Sequence, residues 1–355
     1  MYRNNQRINA LPHFIRAIAL LIIAGLSFAT IGKGSFPIFF ATGKNREFET
    51  VAEFSPGEAT GVEFNLSSSE LVVQSSEEVD NVVLQVSFYK KIKDETINKE
   101  QNWLRDGRIY LTDDVNPLAE RSGRNWLQRH LYGYRILVPQ NTSSFEVDFV
   151  SQSGELEIKD VNCGSVSAII SSGDVVLNQV EAKMIDVQST SGDLELYDCK
   201  ADRFSMQTTS GDIEGDLLTG VQIHGTTTSG DLELNQVSAE DLVLSAESGD
   251  IDCNVKYVPN TFAVKTSSGD AVIHFDLMGI KDDTINKVSP KYMSVATSSG
   301  DVTIKNTPEW LQVDVSDSKQ FFTRGHNDSK EAAGWSVNTS SGDIGIIFSG
   351  AAGKE

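Results

Sequence analysis

The sequence predicts an all-β protein, a parallel β-solenoid with coils of about 19 residues. Three observations support this fold: a tripeptide recurs at a constant interval, apolar residues alternate in steps of two, and one long stretch lacks proline. We expect irregular β regions to cap the solenoid and an N-terminal signal or anchor helix to precede it.

The tripeptide Ser-Gly-Asp, once Ser-Gly-Glu, is the mark of the repeat. Its first five intervals are 19 residues each, and the later ones are 20, 31 and 42 residues. A constant period of this kind is typical of proteins in which each repeat stacks on its neighbours. The glycines of the tripeptide are Gly154, Gly173, Gly192, Gly211, Gly230, Gly249, Gly269, Gly300 and Gly342.

Apolar residues alternate with polar ones after each of these glycines. The second following residue is apolar in all nine repeats and the fourth in eight, with Gly215 the exception. A period of two indicates β-strands, because successive side chains point to opposite faces. Matching residue types at matching offsets favour stacked coils over a meander of hairpins, and parallel crossovers favour a right-handed winding.

The distribution of proline agrees with stacked strands. None occurs between Pro139 and Pro259, as expected where every backbone N–H bonds in a ladder. Pro259, Pro290 and Pro308 lie where the 19-residue spacing breaks. We therefore assign residues 135–349 to the solenoid, with insertions at 276–291 and 306–333, and residues 350–355 to a tail.

Residues 1–46 differ from the rest of the chain. They contain no acidic residue, and an uncharged apolar run extends from Ala17 to Gly32. Such a run with basic flanks is typical of a signal peptide or an N-terminal membrane anchor, and both remain open. Either one would place the protein outside the cytoplasm, in the periplasm or on the cell surface. Membrane contact is then expected only through this segment, if it is uncleaved.

Residues 47–134 carry strand-like runs without the regular repeat. We expect an irregular β-rich cap over the N-terminal end of the solenoid, because a bare sheet edge promotes aggregation. Whether this region is a separate domain or a set of degenerate coils stays open at this point.

The overall charge limits the partners. Fifty Asp and Glu against thirty Lys and Arg give −20, so nucleic acid and anionic lipid surfaces are unfavourable partners for the whole chain. The three cysteines, Cys163, Cys199 and Cys253, occupy offsets that are apolar or small in other repeats. We expect buried side chains there, not disulfides or metal ligands.

The strongest candidate for a site is a ladder of carboxylates beside the repeated glycines. Stacking would place these side chains about 5 Å apart, where like charges repel. One interpretation is local: each Asp accepts N–H bonds at its own glycine corner. The other is a row of weak sites for a divalent cation such as calcium; no other cofactor is expected. The ladder comprises Asp174, Asp193, Asp212, Asp231, Asp250 and Asp270, continued by Asp301 and Asp343.

A second acidic row lies two residues further along each repeat. Because it shares the outward-facing parity of the first row, both should lie on one face of the same sheet. Its members are Glu157, Glu195, Glu214, Glu233 and Asp252.

Two further groups are candidate partner sites. The insertions follow the same short strand in their repeats, so they should lie side by side and form either a cap or a surface for a glycan or an envelope protein. The residues that they bring together are Trp310, Phe321, Phe322, Arg324 and His326. Near the N-terminus, Arg105, Arg108, Arg121, Arg124, Arg129 and Arg135 cluster with Trp103, Trp126, Tyr132 and Tyr134. These arginines suit either an anionic envelope polymer or the acidic residues of the first coils.

The segment RILVPQNTSSFEVDFVSQSGELEI and the iterated T-S-S-G-D block together resemble the bacterial "putative adhesin" family, a domain of unknown function. The likeness covers about residues 60–349. It implies an exported or membrane-tethered β-strand-repeat protein and transfers no catalytic residue.

Enzyme signatures are absent from the sequence, including G-x-S-x-G, H-E-x-x-H and the P-loop. We therefore expect a non-catalytic, envelope-associated solenoid that presents an acidic surface for adhesion or scaffolding. A glycan-active β-helix enzyme and an accessory of an envelope-stress sensor are the alternatives.

Overall fold

The computed structural model describes residues 47–88, 102–112, 131–256, 259–276, 292–307, 314–315, 320–323 and 335–348. All of them belong to one compact unit, Arg46–Glu355. The predicted leader 1–46, the tail 350–355 and most of the loop 276–291 lie outside the described residues. No helix in the described part of the chain has the length and hydropathy of a membrane span.

The described residues form 26 β-strands. The first are β1 (Glu47–Phe54), β2 (Gly61–Leu66), β3 (Glu70–Ser76), β4 (Val82–Phe88), β5 (Leu104–Arg105), β6 (Arg108–Thr112) and β7 (Leu131–Pro139). Next come β8 (Phe145–Ser151), β9 (Leu156–Lys159), β10 (Cys163–Ile170), β11 (Val175–Asn178), β12 (Glu181–Ser189), β13 (Leu194–Tyr197), β14 (Lys200–Thr208), β15 (Ile213–Asp216) and β16 (Thr219–Thr227). The last are β17 (Leu232–Ala246), β18 (Ile251–Val255), β19 (Thr261–Thr266), β20 (Ala271–Phe275), β21 (Tyr292–Thr297), β22 (Val302–Thr307), β23 (Asp314–Val315), β24 (Gln320–Thr323), β25 (Trp335–Thr339) and β26 (Ile344–Phe348).

Each coil runs through two parallel sheets joined at the Ser-Gly-Asp corner. The strand before the corner belongs to the first sheet, and the strand after it belongs to the second. In the first sheet Val166 pairs with Ile185 and Ile185 with Phe204, each one repeat further on. In the second sheet Val175 pairs with Leu194 in the same way. The predicted parallel solenoid is confirmed.

The core lies between the two sheets. The second and fourth residues after the repeated glycines are buried, as the two-residue period predicts; Leu194, Leu196 and Ile213, for example, have no exposed surface. Cys163, Cys199 and Cys253 are buried and form no disulfide. Burial raises the pKa of the Cys163 thiol to about 12 and that of Cys199 to about 11, which keeps both protonated at neutral pH.

A second corner follows the strand of the second sheet. Its sixth residue after the repeated glycine adopts left-handed backbone angles in several coils, although none of these residues is glycine. The residues are Asp160, Gln179, Asp198, Leu217, Gln236 and Asn306, with φ between 49° and 58°. Leu217 is the least suited to this conformation, because apolar side chains rarely adopt it. Asp and Gln each occur twice at this position, but Leu217 breaks the pattern, and this corner was not among the predicted features.

On the N-terminal side of Gly154, the stack of coils continues into residues 47–134, which were expected to form an irregular cap. Strand β2 pairs in parallel with β8, and β3 pairs in parallel with β9, so residues 61–76 form a regular coil. Strands β6 and β7 pair with the other sides of β2 and β3 and form the next coil outward. Antiparallel strands cover this end: β4 pairs with β7, β1 with β4, and β5 with β6.

The C-terminal end contains part of the second insertion. Strands β23 and β24, within residues 306–333, pair in parallel with β25 and β26 and form the outermost described rung. This part of the insertion therefore extends the stack at its end.

The glycine corner is the tightest contact between coils. A Cβ atom built on Gly230 would lie 1.8 Å from the carbonyl oxygen of Gly211, and one on Gly192 would lie 1.7 Å from that of Gly173. Both obstacles are backbone atoms, which a side-chain rotation cannot move. The recurrence of glycine follows from this close approach of backbone to backbone.

We expect Gly230→Ala to lower the free energy of unfolding by about 1–3 kcal/mol, because the added methyl group must separate two coils. Gly345→Ala is the matched control, since a Cβ added there would have no neighbouring atom within 4 Å. Urea denaturation of the two variants and the unmodified chain measures the effect. Equal midpoints for the two variants would contradict the contact as described.

Candidate functional site

In five of the repeats, a threonine hydroxyl three residues before the corner glycine bonds to two coils. Thr227 Oγ1 accepts a hydrogen bond from the Gly230 N–H at 3.0 Å and donates one to the Gly211 carbonyl oxygen at 3.3 Å. The same pair of bonds occurs at Thr208, Thr266, Thr297 and Thr339. The Thr and Gly of the T-S-S-G-D block are therefore structural.

The aspartates of the corner bond to the next coil. Asp212 Oδ1 accepts the N–H of Asp231 at 2.8 Å, and Asp231 Oδ1 accepts that of Asp250 at 2.9 Å. This corrects the local interpretation, in which each Asp would serve its own corner: the N–H belongs to the following coil. The bonds run through Asp174, Asp193, Asp212, Asp231, Asp250, Asp270, Asp301 and Asp343 without interruption.

These inter-coil bonds offset part of the repulsion within the aspartate ladder, because each carboxylate faces a backbone N–H dipole. No cluster of three or more His, Cys, Asp or Glu side chains suited to a metal ion occurs among the described residues. The weak calcium sites therefore stay a prediction, with a structural role for the aspartates now established beside it.

The second acidic row lies on the outer face of the second sheet. Glu195 pairs with Glu214, Glu214 with Glu233, and Glu233 with Asp252, so four carboxylates occupy four successive rungs. Glu157 stands two rungs before Glu195, and Val176 separates them. We call Glu195, Glu214, Glu233 and Asp252 the carboxylate row.

The pKa of every member of the carboxylate row is raised. Partial burial is the main cause in each case. For Glu214 the charges of Glu195 and Glu233 on the adjacent rungs add to the shift. For Glu195 a hydrogen bond from the Tyr197 hydroxyl, at 3.2 Å, opposes it. For Asp252 the positive charges of Lys305 and His274 oppose it.

A third outward column completes this face, and none of the predicted site residues lies in it. Asn235 Nδ2 donates to Asp216 Oδ1 at 3.0 Å, and Asn254 Nδ2 donates to Asn235 Oδ1 at 3.1 Å. His274 follows in the same column and contacts Asn306. The signal in the sequence is weak: Asp216, Asn235 and Asn254 are each the fifth residue after a repeated glycine.

The predicted partner surface at the insertions is described only in part. Phe321 and Phe322 lie in β24 at the end of the stack. Trp310, Arg324 and His326 lie outside the described residues, so this group stays a prediction.

The described arginines of the N-terminal cluster contact the protein itself. Arg108 forms ion pairs with Glu146 and Asp148, as one of the two interpretations expects. Arg105 lies 4.1 Å from the ring centre of Tyr110, and Arg135 lies 3.7 Å from that of Phe48. Trp103 and Tyr134 are core residues. Arg121, Arg124, Arg129 and Trp126 lie outside the described residues, and so does the side chain of Tyr132.

Comparison with known families decides what this architecture is. The sequence profile described as Toastrack DUF4097 matches residues 62–305, well over half of the chain. The chain belongs to the Toastrack DUF4097 family. This match confirms the family resemblance predicted from the T-x-S-G-D repeats.

Two solved structures resemble the chain. A putative adhesin from Parabacteroides distasonis ATCC 8503 shares 11% identity with a TM-score of 0.35, covering 85% of this chain and 95% of its own. A putative cell adhesion protein from Clostridium sporogenes ATCC 15579 shares 13% identity with a TM-score of 0.20, covering 85% and 98%. A comparison with curated proteins gives no significant match.

Two substitutions at Asp231 separate its hydrogen bond from its charge. Asp231→Asn keeps an acceptor oxygen and should leave stability within about 0.5 kcal/mol, whereas Asp231→Ala leaves the Asp250 N–H unbonded and should cost about 1 kcal/mol. Urea denaturation measures both, with Asp202→Ala on the exposed surface as control. Equal losses for Asn and Ala would show that the charge itself is needed, as a cation site requires.

The carboxylate row predicts a pH dependence. Because the folded pKa values lie above the ordinary value of 4.5 for Glu, the folded state binds more protons than the unfolded chain in that window. Stability should therefore fall as pH rises from about 4 through the folded pKa values. The triple variant Glu195→Gln, Glu214→Gln, Glu233→Gln should unfold at higher urea than the unmodified chain at pH 7, and this difference should shrink at pH 4.

The matched control for the triple variant replaces three exposed glutamates outside the row, Glu181, Glu240 and Glu247, by Gln. It changes the net charge equally, so the two variants differ only in where charge is removed. A pH response that is the same in both would contradict the assignment to the carboxylate row.

Proposed function

We propose that this protein is an exported, non-catalytic β-solenoid that presents an acidic surface at the cell envelope for adhesion or scaffolding. The carboxylate row supports the proposal most directly. Four carboxylates are held on successive rungs of a continuous parallel ladder. Their spacing follows from the backbone, so a partner meets a preorganised row of charges.

The carboxylate row has no structural use comparable to that of the aspartate ladder. Each aspartate side chain fastens two coils, whereas no described residue donates a hydrogen bond to Glu214, Glu233 or Asp252. Burial and mutual repulsion disfavour their charged forms. Residues kept at a cost in stability are often kept for binding.

The chemistry of the face favours a cationic or polar partner. A column of amides, including Asn235 and Asn254, lies beside the carboxylates, and amides suit the hydroxyl and amide groups of glycans. The net charge of −20 opposes binding to nucleic acid and to anionic lipid surfaces. A surface glycan or a basic region of an envelope protein therefore fits best.

The amino-acid pattern of residues 1–46 supports export. Basic residues without any acid flank the apolar run 17–32, and this arrangement directs the following chain across a membrane. Export would expose the acidic face outside the cytoplasm, where it could meet partners in the cell envelope.

Repetition argues against catalysis by the described acidic residues. A general acid and its partner base need pKa values that differ in direction, whereas burial raises the pKa of every member of the carboxylate row. A glycan-active enzyme remains the competing function, and an accessory of an envelope-stress sensor is a third.

A binding experiment on the full chain tests the proposal. Isolated bacterial envelope and a glycan array are the probes, and the triple variant Glu195→Gln, Glu214→Gln, Glu233→Gln should bind about tenfold more weakly than the unmodified chain. The control Glu181→Gln, Glu240→Gln, Glu247→Gln should bind normally. Equal binding by both variants would contradict the proposal, and release of reducing sugar would establish the enzyme instead.

A further inference from the structure

We infer that both ends of the solenoid are interlocked, so that neither end unwinds coil by coil in the order in which the coils follow along the chain. The N-terminal end shows the arrangement most fully. The coil 61–76 comes first in the chain but lies second in the stack, between the coil of β6 and β7 and the coil of β8 and β9. Phe64 pairs with Leu111 on one side and Phe149 on the other. Val73 pairs likewise with Ile136 and Ile158.

The C-terminal end repeats the arrangement in reverse. Strands β25 and β26 come last in the chain but lie inside the stack. Val337 pairs with Val295 on one side and Val315 on the other. Ile346 pairs with Ile304 and with Phe322. At both ends, the coil nearest the terminus of the chain is enclosed by two parallel ladders.

Enclosure changes how an end can open. In a simple solenoid the terminal coil has one neighbour and a free chain end, so it frays first. In this protein each strand of the enclosed coil pairs with a strand on both sides, so the coil can unfold only when both sets of backbone hydrogen bonds break. At the C-terminal end the outermost described coil, β23 and β24, pairs on one side only, and at the N-terminal end β7 of the outermost coil is also covered by the antiparallel strand β4. At each end, both ends of the outermost coil remain attached to the folded protein. Its release therefore gains less chain entropy than the release of a free terminus.

Arg108 fastens the N-terminal interlock. It lies in β6, in the outermost coil, and forms ion pairs with Glu146 and Asp148 in β8, two rungs away. Its direct partner in the intervening strand is Gly61, which has no side chain to block the guanidinium. Gly61 in turn packs closely on β8, since a Cβ there would lie 2.6 Å from the Glu146 carbonyl oxygen. The arginine thus spans the enclosed coil and joins the coils on either side of it.

Amide hydrogen exchange on the full chain under native conditions tests the interlock. Amides of β2 and β3 should exchange within about tenfold of those in the central strands β11–β16, because the enclosed coil opens only with its neighbours. Exchange in β2 and β3 at least a hundredfold faster than in the central strands would overturn the inference.

Substitution of Arg108 tests the fastening. Arg108→Gln should raise exchange in β2, β3 and β6 by about tenfold and leave β13–β16 unchanged. The double variant Glu146→Gln, Asp148→Asn removes the two partners of Arg108 and should raise exchange in the same strands by a similar factor. Arg203→Gln is the control, because Arg203 bonds only Gln222 on the adjacent rung of the same sheet. An effect of Arg108→Gln no larger than that of the control would overturn the role given to Arg108.

Discussion

The rest of this structure depends on the close packing of backbone against backbone at the stacked glycine corners. Each corner glycine lies against the carbonyl of the previous one with no room for a methyl group, as at Gly211 above Gly192. This contact fixes the height of one coil on the next at a single point. The threonine hydroxyl and the aspartate carboxylate on either side then bond across the same step. The first sheet contributes the strand before each corner, and the second sheet contributes the strand after it. The contact at the corner therefore sets the register of both sheets.

The corner also divides the acidic residues into two groups with different roles. The aspartate beside the glycine helps to hold successive coils together, because its carboxylate accepts a hydrogen bond from a backbone N–H of the next coil. The glutamate two residues further on is placed by the backbone pairing of the second sheet. Within the described part of the chain, its side chain forms no hydrogen bond to the next coil. Stacking thereby produces a row of carboxylates whose spacing is set by the backbone and in which Glu214 and Glu233 accept no hydrogen bond from a described residue. Such a row suits recognition, since its carboxylates recur on successive rungs at a spacing that a partner can match.

Much of this could be predicted from the sequence, because the repeat is nearly exact where the structure is most regular. Offsets two and four after glycine, such as Leu194 and Leu196, gave the buried face and hence the strands. The partner of each aspartate N–H could not be predicted, since spacing alone does not distinguish a bond within a corner from one between corners. The interlocked ends were equally hidden. Phe64 and Phe149 carry the same pattern, but no local signal shows that the chain returns to enclose residues 61–76.

Distances between spin labels test the central claim, the stacking of corners in register, most directly. Cysteines for labelling would replace the exposed Ser172 together with Ser229, Ser248 or Ser268, three, four and five coils away. Parallel stacking predicts label separations that grow by about 5 Å with each additional coil. Separations that do not increase steadily, or that alternate between near and far as in a meander of hairpins, would contradict it.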